Sequence, residues 1–101
     1  MGEIVDRKGK STVIPEAGEL ATVLQSLPAG ELTDLAEVRK TLAASAGAEM
    51  CCPVTVQRHL AAFSESDDVP FWRVVDAERP FAKRMVGGPD RVREMQARDR
   101  R

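Results

Sequence analysis

Three stretches of the chain carry apolar residues at helical spacing. In the first, these residues lie at positions i, i+3, i+4 and i+7, the pattern of an amphipathic helix: Leu20, Val23, Leu24 and Leu27. Pro15 suits the first turn, where its missing amide hydrogen is not needed, so we expect helix from Glu16 onward. The Pro28 to Gly30 stretch then ends this helix.

The second stretch begins with a helix-start signal. Asp34 followed three residues later by Glu37 matches a capping box with Asp34 as the N-cap, although Thr33 is a rival cap. The expected buried stripe of this helix consists of Leu35, Val38 and Leu42. Gly47 is a good terminator, because glycine readily adopts the left-handed conformation that ends helices.

The third helix is expected to begin near Pro53 or Thr55, with Val56, Leu60 and Phe63 on its buried face. Two such helices joined by a short glycine-containing turn predict a helix-turn-helix whose second helix reads DNA. Its outward residues are the candidates for DNA contacts: Thr55, Gln57, Arg58 and His59. A solvated helix face carries the same residue types, so that alternative stays open.

The chain after the third helix changes in character. Residues 69–76, "VPFWRVVD", have the aromatic and β-branched bias of a strand. Residues 81–86 are expected to return as a second strand, which Pro80 would confine to a sheet edge. Gly87 and Gly88 break the chain, and Pro89 is expected to open a last helix.

This order of elements predicts an α+β fold, namely a winged helix-turn-helix with three helices, a small β-hairpin wing and a C-terminal helix. We expect this domain to span residues 15–101. Residues 1–14 are charged and lack sustained periodicity, which predicts a flexible N-terminal arm or at most one short strand. A chain of 101 residues has room for one modest core.

Charge is distributed unevenly, although the formal net charge is only -1. From Pro70 onward there are nine basic and five acidic residues, whereas the rest of the chain has six basic and eleven acidic ones. Such polarity directs a basic face to an anion, or it reflects a solvated arginine-rich helix. The candidates for phosphate contacts are Lys83, Arg84, Arg91 and Arg93.

The only cysteines are the neighbours Cys51 and Cys52, which excludes a disulfide framework because vicinal cysteines seldom bridge. Cys52 falls at the expected start of the third helix, whose dipole would lower the pKa of its thiol. A reactive thiol is one interpretation and a buried structural cysteine the other. Two cysteines and His59 do not form a zinc signature, so we expect no metal and no cofactor.

The first ten residues lack the apolar segment of a signal peptide, and no apolar run approaches the roughly 20 residues of a membrane span. We therefore expect a soluble, cytoplasmic protein that has no membrane partner. We also expect a monomer.

Three segments together carry a resemblance to a known family: "LPAGELTDLAEVRKTL", "CPVTVQRHL" and "PFWRVVDAERPFAKRMVGGPDRVREMQ". Over residues 16–99 the chain is similar to the C-terminal DNA-binding domain of O6-alkylguanine-DNA alkyltransferases. It more closely resembles the small alkyltransferase-like proteins, which lack the reactive cysteine. The order and spacing of the segments are more specific than any one of them.

The resemblance implies a place for each residue of the family's Pro-Cys-His-Arg-Val pentad. Pro70, Arg73 and Val74 match it, whereas Phe71 stands at the alkyl-accepting cysteine and Trp72 at the activating histidine. A phenyl ring is not a nucleophile and an indole is not a base near neutral pH, so methyl transfer by this route is excluded. We expect Arg73 to pin the pentad turn by bonding backbone carbonyls.

Pro70, Phe71, Trp72 and Arg73 then form a vestigial alkyl pocket in which the aromatic rings stack on an extruded base. The alternative is that Phe71 and Trp72 are simply core. Further departures fall where the family has a nucleotide-rotating tyrosine, a DNA-inserting arginine, an Asn-Pro hinge and a supporting glutamate: Leu35, Val54, residues 65–68 and Arg93.

The resemblance predicts a non-enzymatic, alkyltransferase-like protein that binds double-stranded DNA and senses alkylated guanine for repair. One alternative is an interaction module that kept the fold and lost DNA binding, because the acidic residues 65–68 would repel phosphates and leave a protein partner. The other is a thiol-dependent enzyme that uses Cys51 or Cys52.

Overall fold

A computed structural model describes residues 2–100, which form an α+β fold of four α-helices and a three-stranded sheet. The strands and helices are β1 (Glu3–Arg7), β2 (Lys10–Ile14), α1 (Ala17–Ser26), α2 (Leu35–Ala46), β3 (Met50–Cys51), α3 (Pro53–Phe63) and α4 (Gly88–Asp99). Two short 3-10 turns lie between α3 and α4, at Phe71–Arg73 and Pro80–Arg84. Residues 1 and 101, the outer ends of the predicted arm and domain, lie outside the described residues.

The helices begin and end where their capping residues predict. Asp34 is the N-cap of α2, and its Oδ1 accepts a hydrogen bond from the Ala36 amide at 2.9 Å. Glu37 does not close the predicted capping box, since its carboxylate accepts from Lys40 instead. Gly47 ends α2 with a φ of 71°, which favours glycine. A capping box occurs on α1, between Glu16 and Glu19.

The predicted flexible arm is instead a β-hairpin. Strands β1 and β2 pair antiparallel, and β2 pairs in parallel with β3, at Thr12 with Met50 and Val13 with Cys51. Lys8 and Gly9 form the hairpin turn with positive φ at both positions, the combination that two-residue type I′ turns require. Thr12 and Val13 are buried, so contacts remote in sequence hold a segment whose own pattern is weak.

The predicted β-hairpin after α3 is wrong, because its two segments are 3-10 turns. The aromatic and β-branched residues there are buried, as strand residues are: Phe71, Trp72, Val74 and Val75. Their backbone is satisfied by local bonds, such as that from the Val74 amide to the Phe71 carbonyl at 3.3 Å, and by side chains of α4. The strand propensity of aromatic and β-branched residues largely reflects their preference for burial. Here the compact 3-10 turns bury these residues without forming a strand.

One core joins all the helices. Its fully buried members include residues of the three predicted helical stripes, together with Val92 of α4: Leu20, Leu24, Val38, Val56, Leu60 and Val92. Phe63, also predicted to face inward, is only half-buried at the edge of this core.

Among residues 2–100, no helix is long and apolar enough to cross a membrane.

Arg73 ties three parts of the fold together. Its Nε and Nη2 donate to the two carboxylate oxygens of Asp99 on α4, at 3.0 and 3.2 Å. Its Nη1 lies 3.2 Å from the carbonyl oxygens of Leu24 and Leu27, at the end of α1. The prediction that Arg73 bonds backbone carbonyls is confirmed, but these carbonyls belong to α1 and the loop after it.

The groups around this ion pair extend the connection. Asp99 accepts from the Gly30 amide at 3.0 Å, and the Thr33 amide donates to the Arg73 carbonyl at 2.7 Å. Gln96 donates from Nε2 to the carbonyls of Trp72 and Val75 at 3.0 and 2.8 Å. Hydrogen bonds from Arg73 and the Gly30 amide hold the pKa of Asp99 at about 2, well below its ordinary value.

Replacing Asp99 with Asn preserves its shape and removes its charge, which leaves the mostly buried Arg73 guanidinium without a counter-ion. We expect a loss of about 2–3 kcal/mol in the free energy of unfolding at pH 7, measured by urea denaturation, because this is the stability that corresponds to a carboxyl pKa lowered to about 2. The matched control is Glu94→Gln, which removes the exposed Glu94–Arg98 ion pair. It should cost less than about 0.5 kcal/mol, and equal losses in the two variants would contradict a special role for Arg73.

The stability conferred by Asp99 should also depend on pH. Because its pKa is lower in the folded protein, the stabilisation is complete above the ordinary carboxyl pKa of about 4 and is lost as the pH falls toward about 2. The difference in unfolding free energy between the wild type and Asp99→Asn should therefore shrink between pH 5 and pH 2. A difference that stays constant over this range would show that the carboxylate is not its source.

Candidate functional site: a cavity beside the predicted reader helix

A cavity of about 480 Å³ opens between the start of α2, the middle of α3 and the chain that follows the first 3-10 turn. Its lining combines apolar, amide, hydroxyl and charged side chains: Leu32, Thr33, Asp34, Leu35, Gln57, Val74, Asp76, Arg79 and Phe81. Asp34 is placed there as the N-cap of α2, and Val74 follows the turn that Arg73 fixes. The structure thus brings together residues up to 49 positions apart in the chain.

The charged groups of the cavity are Asp34, Asp76 and Arg79. Arg79 Nε lies 3.9 Å from Asp76 Oδ2, and the Arg79 side chain is 78% exposed, so this ion pair is loose. Asp76 also caps the turn after it, because its Oδ1 accepts from the Glu78 amide at 2.9 Å. The cavity lining therefore has two carboxylates against one solvent-exposed cation.

The predicted vestigial pocket of Pro70, Phe71, Trp72 and Arg73 is not where the cavity lies. None of these four described residues lines it, whereas the next residue, Val74, does. Phe71 is fully buried, with its ring edge-on to Trp72 at a centroid distance of 5.2 Å. The alternative that the aromatic pair is core therefore agrees with the structure, because a 3-10 turn directs both rings inward.

The four residues predicted to face DNA from α3 have different surroundings. Arg58 is exposed, while Gln57 is half-buried and lines the cavity. Thr55 lies 3.4 Å from the Cys52 sulfur as a hydrogen-bond donor. His59 Nε2 lies 2.8 Å from the Pro15 carbonyl, and its ring stacks on Phe63, so it connects α3 to the start of α1. Of the four, Arg58 is the one presented to solvent.

Two of the predicted phosphate contacts are occupied within the protein. The Arg91 guanidinium bonds the carbonyls of Ser64, Ser66 and Val86 and lies 5.3 Å from the centre of the Phe71 ring. Arg91 therefore holds the acidic loop after α3 in place. These contacts of Arg91 could not be predicted from the sequence, because the carbonyl groups belong to separate segments of the chain.

Arg93 is half-exposed and forms ion pairs with Asp90 and Glu78 at 3.2 and 3.3 Å. Lys83 and Arg84 are exposed, and neither has an ion pair within the described residues. Of the four predicted phosphate contacts, these two are the ones still available to an anion.

Sequence analysis missed a basic group at the tip of the N-terminal hairpin: Arg7, Lys8 and Lys10. Lys8 and Lys10 are exposed, while Arg7 Nη1 donates to the Cys52 sulfur at 3.3 Å. This contact brings the hairpin tip to the start of α3. The signal in the sequence was the run "DRKGK", in which a glycine among basic residues is typical of a tight turn.

The adjacent thiols differ in acidity, although both are buried. Burial raises the pKa of Cys51 to about 11, and the neighbouring Cys52 adds to the effect. Burial also raises the pKa of Cys52, but hydrogen bonds from Thr55 and Arg7 outweigh it and lower that pKa to about 7. With only 2% of its surface exposed, Cys52 is acidic yet shielded from reagents.

Within residues 2–100, no group of three or more His, Cys, Asp or Glu side chains is placed to hold a metal ion.

Thr55→Val removes the hydroxyl donor to Cys52 and keeps the branched shape of the side chain. The ultraviolet absorbance of the wild-type thiolates should rise in two steps, near pH 7 and pH 11. In the variant the lower step should move to higher pH, because the thiolate loses a donor. Thr22→Val on α1 is the control, since Thr22 bonds the Gly18 carbonyl, and an equal shift there would contradict the assignment.

No family model matches this chain, and no curated protein and no solved structure matches it. Its function therefore has to be argued from the cavity, from the exposed face of α3 and from the charges around them.

Proposed function

We propose that this protein is a non-enzymatic, alkyltransferase-like DNA-binding protein that senses alkylated guanine. The observation that carries the proposal is the cavity beside α2 and α3. Enzymes and sensors that act on a base in duplex DNA turn it out of the stack and into a pocket of this kind. At about 480 Å³, the cavity falls in the size range of small-ligand sites, which reach about 300–1,000 Å³.

The positions that line the cavity also support the resemblance. Leu35, which stands at the family's nucleotide-rotating tyrosine, and Val74, the last residue of the pentad, both lie in its wall. These residues are 39 positions apart, so their meeting is a property of the fold. Of the pentad only Val74 lines the cavity, so the proposed base pocket lies beside the pentad and not around its cysteine position.

The elements around the cavity fit a winged helix-turn-helix. In this proposal α2 and α3 are its two helices, and the hairpin of β1 and β2 takes the place of the wing, next to the start of α3. Sheet pairing of β2 with β3 fixes the hairpin directly before the reader helix. The wing thus precedes the helices in the chain, in contrast to the expectation from the sequence.

The proposal is of binding without alkyl transfer, because the family's cysteine position does not line the cavity. None of its nine described residues carries a thiol, an imidazole or an amine, and Phe71 at the cysteine position lies in the core. The acidic thiol of Cys52 lies under the Arg7 side chain and is not among the lining residues. A DNA-bound alkyl group in the cavity would therefore meet no activated nucleophile.

The positive charges available for DNA lie on α3, at the tip of the N-terminal hairpin and on the second 3-10 turn. Arg58 would face the groove, while Lys8 and Lys10 at the hairpin tip would contact phosphates, as Lys83 and Arg84 would from the second 3-10 turn. Most other basic residues of the C-terminal third are engaged within the protein.

A second candidate function is a protein-interaction module, which the acidic loop favours. Glu65, Asp67 and Asp68 are exposed directly after α3, and Arg91 fixes the loop that carries them. Carboxylates at this end of the reader helix would repel DNA phosphates and suit a basic protein partner.

The test is titration of the protein onto a fluorescent duplex, with and without one O6-methylguanine, across a salt series. Tighter binding to the modified duplex that weakens with salt is the expected result, since phosphate contacts release counter-ions. Equal binding to both duplexes would leave a general DNA-binding protein. No binding at low salt would overturn the DNA proposal and favour the interaction module.

The hairpin can be tested as the wing by replacing Lys8 and Lys10 together with Ala. Each phosphate contact adds about 0.9 to the slope of log K against log salt, so we expect the slope to fall by about 2. Arg98→Ala is the control for loss of a positive charge outside the proposed interface, because Arg98 is already paired with Glu94, and its slope should stay near that of the wild type. If the double variant binds the duplex with an unchanged slope of log K against log salt, the hairpin is not part of the interface.

A further inference from the structure

We infer that the cavity selects a purine that its alkyl group has made cationic, such as 7-methylguanine, over the neutral O6-methylguanine. This inference rests on the proposed DNA-binding function and specifies the ligand of the same cavity. It follows from three features of the lining: the balance of charge, an aromatic ring and an apolar wall.

The charges favour a cation over a neutral or anionic ligand. Asp34 and Asp76 contribute two carboxylates against the single guanidinium of Arg79. The carboxylate of Asp34 partly offsets the positive end of α2, whereas Asp76 has only the 3.9 Å contact with Arg79 as its counter-charge. A cationic ligand in the cavity would be attracted by the charge of these carboxylates, while a neutral base would gain only hydrogen bonds to them.

Arg79 is the counter-ion that such a ligand would replace. Its side chain is 78% exposed, and a long, solvated arginine at 3.9 Å leaves its partner at little cost. Asp76 stays fixed when Arg79 moves, because its Oδ1 is held by the Glu78 amide. The Asp76 carboxylate is thus held in place by a backbone amide, while its counter-ion Arg79 is exposed and can be displaced.

The ring of Phe81 adds a second cation-selective element. It is half-buried and lines the same cavity as the carboxylates. Aromatic faces attract cations through their quadrupole, and a flat, delocalised purinium ion both stacks and carries charge. Aromatic rings combined with nearby negative charge are a common solution for binding alkylated cations.

The remaining wall accommodates the alkyl group and the base edge. Leu32, Leu35 and Val74 supply apolar surface, while Gln57 offers an amide that both donates and accepts hydrogen bonds. These residues suit any alkylated purine, so they do not decide between O6- and N7-methylation. The charge of the ligand is what the carboxylates and Phe81 would distinguish.

The experiment compares three duplexes of one sequence, which contain guanine, O6-methylguanine or 7-methylguanine at a single position. The two modified bases each carry one added methyl group and differ in charge, in the position of that methyl group and in pairing with cytosine, so the charge-removing variants below are needed to isolate the electrostatic contribution. We expect the 7-methylguanine duplex to bind about tenfold more tightly than the O6-methylguanine duplex at moderate salt, measured by fluorescence anisotropy.

Charge-removing variants that keep the local hydrogen bonds test the assigned residues. Asp76→Asn retains an acceptor for the Glu78 amide, and Asp34→Asn retains a good N-cap for α2. Each should reduce the preference for 7-methylguanine several-fold with little effect on the guanine duplex. Glu49→Gln, an exposed carboxylate outside the cavity lining, is the matched control and should leave the preference unchanged.

Arg79→Ala should act in the opposite direction. Removal of the competing cation frees Asp76, so affinity for the 7-methylguanine duplex should rise while affinity for the guanine duplex falls slightly or stays the same. A drop in 7-methylguanine affinity in this variant would contradict the role of Arg79 as a replaceable counter-ion.

The outcomes separate this inference from the proposed function. Preference for O6-methylguanine overturns the cationic ligand and leaves the proposed function intact. Equal binding to all three duplexes overturns both the cationic ligand and the sensing of alkylated guanine, and leaves general DNA binding. No binding to any duplex overturns the proposed function. A trimethyl-lysine peptide is the last arm, and binding of that peptide without binding of DNA would reassign the cavity to a protein partner.

Discussion

The bidentate ion pair between Arg73 and Asp99 is the interaction on which the rest of this fold depends. Its guanidinium joins the end of α1, the 3-10 turn that follows Pro70, and the last turn of α4. A planar group with five donors can satisfy a carboxylate and several carbonyls at once, which a lysine ammonium cannot do in the same geometry. The carbonyl groups at the end of α1, which have no partner within the helix, therefore accept hydrogen bonds from Arg73, and no glycine is needed to end the helix.

This constraint also determines where the cavity lies. Because Arg73 and Gln96 fix the backbone of the 3-10 turn, Phe71 and Trp72 are directed into the core and Val74 emerges at the cavity wall. The residues expected to form an alkyl pocket are thus core residues. The cavity is lined instead by residues of α2, α3 and the chain after the turn.

Most arginines of the C-terminal third form hydrogen bonds or ion pairs within the protein. Arg73, Arg91 and Arg93 bind carboxylates or carbonyls of the protein itself, and among the predicted phosphate contacts only Lys83 and Arg84 remain unpaired in residues 2–100. The proposed interface therefore draws on the N-terminal hairpin, which lies in the more acidic part of the sequence. Charge counted along a chain is a poor guide to charge on a face, because pairing is decided by proximity in space.

Local signals in the sequence determined the helices. Periodic apolar residues, the Asp34 cap, the glycine at 47 and the prolines at 53 and 89 each act within a few residues, so α1 to α4 were predictable. Tertiary contacts decided the rest. The N-terminal segment forms strands because β2 pairs with β3. The segment that contains Phe71 has strand propensity but forms a turn, because it is buried against α4. The cavity, the pairing of each arginine and the acidity of Cys52 likewise arise between residues distant in sequence, where local pattern carries no information.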